Sequence, residues 1–88
     1  MEEPDSALQF PCQFPIKAMG LSTSGFEAVA LQAVRRHAPD FDPEQMHARP
    51  SRQGRYLSVT FTINATSREQ LDTIYLALTG CDDILVVL

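Results

Sequence analysis

The sequence predicts an α+β fold in which a four-stranded antiparallel sheet carries two helices on one face. Three observations lead there. Every second residue from 56 to 63 is apolar, the period of a strand with one buried face and one open face. Two stretches, 25–37 and 67–79, carry apolar residues at helical spacing. Shorter strand-like stretches at 14–19, 44–49 and 84–88 flank them, with Pro and Gly at the joints.

Residues 1–10 read as a frayed acidic tail, with Glu2, Glu3 and Asp5 and no basic residue. The tail has neither the positive start nor the apolar stretch of a signal peptide, so the expected location is the cytoplasm. Residues 11–88 are expected to form one domain.

The first strand, over 14–19, puts Phe14, Ile16 and Ala18 on one face. Pro15 has no N–H, so this part of the strand donates no hydrogen bond to a neighbour there. Gly20 closes the strand, and Leu21, Ser22 and Thr23 form a loop. Ser24 and Glu27 have capping-box spacing at the head of the first helix, 25–37. Phe26, Val29, Ala30, Ala33, Val34 and His37 make its apolar stripe. Arg35, Arg36 and His37 suit the negative end of its dipole, and Pro39 stops it.

The second strand, over 44–49, is expected to turn Met46 and Ala48 inward and Gln45, His47 and Arg49 outward. Residues 50–54 are a hairpin loop. In the third strand Leu57, Val59, Phe61 and Ile63 face the core, while Tyr56, Ser58, Thr60 and Thr62 face away. Thr66 and Glu69 suggest a second capping box before the second helix, whose inner face is Leu71, Ile74, Tyr75 and Leu78. Gly80 suits the position after its end. The last strand, 84–88, is apolar throughout. This β-α-β-β-α-β order is ferredoxin-like: two right-handed crossovers joined by a hairpin, with strands in the spatial order 4-1-3-2.

That topology sends Cys12 and Cys81 to opposite ends of the sheet, about 15–20 Å apart. A disulfide needs Cα atoms within about 7 Å, so both are expected as free thiols.

Hydrophobic residues make 44% of the 88 residues and charged residues 20%, an ordinary globular balance. The net charge of −4 argues against a protein that works by neutralising phosphates. There is one Lys, two His and no pairing of Ser, Cys, His and acid that the topology would bring together. No catalytic residue, metal ligand or cofactor is therefore assigned, and the chain is expected not to be an enzyme.

Three arginines, Arg49, Arg52 and Arg55, cluster at the hairpin. They could grip an anion or an acidic partner, although charges on an edge also simply keep it from pairing with other chains. The Gly20–Gly25 loop precedes a helix and could hold a carboxylate, although Ser24 capping accounts for it as well. Lys17, Gly20, Ser22 and Tyr56 are the candidate ligand contacts. The open face also suggests the RNA-recognition arrangement, in which outward aromatics of the third strand stack on bases. Here Tyr56 fills one such position, Ser58 the other, and Arg55 stands where glycine is expected, so nucleic acid ranks low as a partner. The last strand lies at an edge and is too apolar to be left bare, which favours self-association. The alternative is that Leu8 and Phe10 of the tail cover it.

Several stretches resemble the YbeD-like family of small bacterial proteins. They are Phe10-Pro11 with Phe14, Lys17, Met19 and Gly20; Arg36-His37-Ala38-Pro39; Ser51 with Gly54, Tyr56, Ser58 and Val59; and Ile63-Asn64-Ala65-Thr66. The resemblance implies a fold similar to ACT domains, which bind amino acids or other small effectors between copies and regulate metabolic enzymes. Of the Asp-x-Pro-Gly loop typical of those domains, this chain keeps Gly20. The expectation is a small regulatory or protein-interaction domain. It would sense a small metabolite through an oligomer and act on a protein partner. The alternative is a single-stranded nucleic-acid binding module that uses the open sheet face.

Overall fold

The computed structural model describes residues 8–88. Its elements run β1 (Cys12–Leu21), α1 (Phe26–His37), β2 (Met46–Pro50), β3 (Tyr56–Ala65), α2 (Arg68–Thr79) and β4 (Val86–Val87). The sheet order is β2-β3-β1-β4, the order the sequence predicts. β1 and β3 form the spine, paired antiparallel without a break from Cys12↔Ala65 to Leu21↔Tyr56. That pairing extends β1 at both ends beyond the expected 14–19. Lys17 exchanges both backbone hydrogen bonds with Leu88. By the two-residue alternation, the missing N–H of Pro15 then points to the β4 side, outside the Lys17–Met19 stretch that meets β4.

The core lies between this sheet and the helices. Ile16, Ala18, Val59, Phe61, Ile63 and Ala65 from the strands meet Phe26, Ala30, Val34, Leu71, Ile74 and Leu78 from the helices, all buried. The expected inner face of α2 is therefore present, with Tyr75 half-buried. The expected stripe of α1 is narrower, because Val29 is exposed.

Both helix starts differ from the expected capping boxes. Gly25 occupies the N-cap of α1 at φ 73, a left-handed conformation that suits glycine, with no side-chain cap. Ser24 instead donates to the Leu21 carbonyl at 2.8 Å and accepts the Phe26 N–H at 3.3 Å. Glu27 does not reach back to Ser24; its Oε1 is enclosed with no hydrogen-bond partner among the described residues. At α2 the box sits one residue later than expected. Ser67 accepts the Gln70 N–H, and Gln70 Oε1 accepts from the Thr66 N–H at 2.7 Å. Gln70 Nε2 also donates to the His37 carbonyl at 2.9 Å, tying the end of α1 to the start of α2. Gly80, after α2, stays right-handed at φ −78.

The second strand begins at Met46 rather than 44, because Asp42 caps a short 3₁₀ turn over Pro43–Gln45. Ala48 projects to the helix side as expected, opposite buried Val59, but stays exposed because β2 is an edge strand. β4 is shorter than the predicted 84–88. Ile84 closes a turn onto the Cys81 carbonyl and is buried, so it leaves the alternation that puts Val86 and Leu88 on the open side.

Residues 1–7 of the expected tail lie outside the described residues. Leu8 and Phe10 are half-buried and pack against the core. They precede Cys12, at the end of β1 away from the residues that pair with β4. Cys12 and Cys81 are both free. Cys12 lies eight residues of extended strand from Gly20, beside which Asp83 packs, roughly 26 Å at the rise of a strand. Among the described residues no helix is long and apolar enough to cross a membrane.

Candidate functional site

Directly opposed residues in antiparallel strands project to the same face. The register therefore builds rows across the side of the sheet that carries no helix. Lys17, Thr60 and His47 form one row, and Met19, Ser58 and Arg49 form the next. Leu21 and Tyr56 pair beyond them. On the other flank, β4 adds Leu88 beside Lys17 and Val86 beside Met19.

The two central rows line a groove of 310 Å³, bounded by Lys17, His47, Ala48, Arg49, Ser58 and Thr60. A smaller hollow of 160 Å³ adjoins it, bounded by Met19, Arg49, Pro50, Ser51, Tyr56 and Ser58. Arg49 and Ser58 are the wall they share. None of the four strands contains an Asp or Glu. The acids of the described residues stand on the helices and loops, so a chain that is acidic overall presents a locally basic sheet face.

The sequence-derived candidates separate in space. Lys17, Arg49 and Tyr56 share the open face. Arg55 holds its guanidinium 5.6 Å from the centroid of the Tyr56 ring, a cation–π distance. Arg52 stays at the exposed hairpin tip. Gly20 and Ser22 do not join Lys17. Gly20 is buried on the helix side, since it is three residues along an alternating strand from Lys17. Ser22 spends its hydroxyl on the carbonyls of Gly54 and Arg55, which ties the β1–α1 loop to the hairpin. The sequence reading missed the partnership of His47, Ser58 and Thr60 with Lys17. The signal was present in the outward alternation of the third strand, but the register that brings these residues beside Lys17 and Arg49 is not local.

Chemically, the groove gathers hydrogen-bond donors and positive charge beside an apolar hollow. Among the described residues no group of His, Cys, Asp and Glu is placed to hold a metal ion. Burial pushes the Tyr75 phenol above its ordinary range, but Tyr75 belongs to α2, in the other layer.

Residues 5–88 match the family described as "Protein of unknown function (DUF493)". A UPF0250 protein of Nitrosomonas europaea is 53% identical over 84% of this chain and 85% of its own length. A UPF0250 protein of Bordetella pertussis is 44% identical over 96% and 92% of the two chains. One from Neisseria gonorrhoeae is 42% identical over 99% and 96%.

Proposed function

The chain belongs to the DUF493 family of YbeD-like small bacterial proteins, and on that premise we propose that it is a regulatory or protein-interaction domain rather than a catalyst. It works through the open face of its sheet and self-associates along the β4 edge. The observation that carries this reading is the sheet face without helices, where exposed apolar side chains lie beside cations and no strand carries an Asp or Glu. Val86 is 42% exposed and Leu88 65%. Next to them Leu85 is also exposed. Val87 sits between residues that bond to β1, so its own N–H and C=O point off the sheet, as a pairing edge requires. A second copy presenting the same edge would cover the apolar groups and satisfy the backbone. The groove beside this edge suits a small effector held close to the interface.

Val86→Lys tests the interface. Sedimentation velocity of the wild type should show a concentration-dependent oligomer, and the variant should weaken it by about tenfold or more. A wild type that stays monomeric at high concentration, or a variant that associates as well as the parent, contradicts the reading. A second reading, single-stranded nucleic acid on the same face, is favoured by Tyr56 and its stacked Arg55. Against it, Ser58 and Thr60 offer bases no stacking surface.

A further inference from the structure

Three donors of different geometry surround one patch of the open face. Thr60 lies at its centre, with Lys17 and His47 on either side in the same row. With strands about 4.8 Å apart, those two residues stand about 10 Å from each other across the groove. Arg49 closes the third side, one row along, opposite Ser58. A group seated over Thr60 and Ser58 is thus reached by an ammonium, an imidazole and a guanidinium from three directions, with two hydroxyls beneath it. A planar carboxylate accepts only near its own plane, whereas a tetrahedral phosphate presents oxygens to all these directions. No Asp or Glu side chain stands on any strand to repel it.

The hollow beyond Arg49 has the opposite character, with Met19, Pro50 and Tyr56 in its wall. Because the two spaces share Arg49 and Ser58, one ligand can fill both. The 310 Å³ groove lies at the lower end of the roughly 300–1,000 Å³ typical of small-molecule sites.

We infer that the open face binds a phosphate monoester of a small apolar or aromatic group. The phosphate sits among Lys17, His47, Arg49, Ser58 and Thr60, and the organic body lies against Met19, Pro50 and Tyr56. The inference rests on the reading of the open face as the working surface and names the class of its effector.

Amide NMR of the full chain tests it, with inorganic phosphate and phenyl phosphate as probes. Phenyl phosphate should shift the amides of Lys17, Met19, Arg49, Tyr56, Ser58 and Thr60, and should bind about tenfold tighter than inorganic phosphate because its ring is buried. Arg49→Gln should weaken phenyl phosphate by about tenfold or more, and Lys17→Gln should also weaken it. Both residues are exposed, and an unchanged spectrum elsewhere confirms that each variant folds. Amides that do not move, equal affinity for the two probes, or full binding by Arg49→Gln would overturn the assignment. So would tighter binding of a single-stranded oligouridylate to the same amides, which points to nucleic acid instead. If these amides stay still while Val86→Lys still dissolves the oligomer, the ligand site falls and the interface stands.

Discussion

Gly20→Ala is expected to destabilise the domain by about 1–3 kcal/mol, the range of overpacked interior positions, and to lower Tm by roughly 5–20 °C. A Cβ at this position would stand 2.5 Å from the Asp83 carbonyl oxygen and 2.8 Å from Cδ2 of Phe26. Neither neighbour can yield freely. Phe26 is fully buried at the start of α1. Asp83 lies in the turn that Ile84 closes onto Cys81. Gly20 itself is held in register with Leu57 on β3. The easiest relief is to push that turn outward, which strains β4, bound only through Lys17 and Met19. Hydrogen exchange at Leu85 and Leu88 should therefore speed up more than at β3. Urea unfolding checks the magnitude. A variant that keeps wild-type stability would contradict this close packing at Gly20.

Phe61→Ala should have the largest effect of any single truncation, about 3–5 kcal/mol. Phe61 is fully buried at the centre of β3, paired with Ile16 on one side and Met46 on the other. Its ring also packs edge-on against Phe41, with centroids 5.9 Å apart and planes at 61°. That contact anchors the segment between α1 and β2, so the cavity cannot close by a local shift. Total stability for 88 residues is on the order of 4–13 kcal/mol, so the variant is expected to be partly or wholly unfolded at 37 °C. Leu76→Ala is the control: Leu76 is 74% exposed and should change stability by no more than about 0.5 kcal/mol. Circular dichroism during urea unfolding reads both. A Phe61→Ala loss no greater than that of Leu76→Ala would mean that the core is not centred here.

What could be read from the chain depended on the range of the interaction. The alternation of Leu57, Val59, Phe61 and Ile63 is a property of one strand, and it placed the core face and the open face correctly. Pro15 told that its part of β1 donates no hydrogen bond on one side, the β4 side, because a missing N–H has one direction. One-turn details were less legible. Ser24 and Glu27 have capping spacing, yet Gly25 takes the cap because the chain must turn tightly after Leu21. Thr66 and Glu69 have it too, yet Ser67 and Gln70 do the capping, with Gln70 held by the His37 carbonyl from the other helix. The groove was the least legible feature. Lys17, Thr60 and His47 become neighbours only through pairings that span long stretches of chain. Gly20, which the family motif marked as a ligand residue, is where the helix layer and the turn before β4 meet the sheet.

In the proposed function, the open sheet face and the β4 edge form the working surface. Amide NMR recorded over a dilution series of the wild-type protein tests it most directly. Concentration-dependent shifts are expected at Lys17, Met19, Val86, Val87 and Leu88 with the helices unmoved. Shifts confined to the exposed side of the helices, at Val29, Gln32 and Leu76, would contradict it.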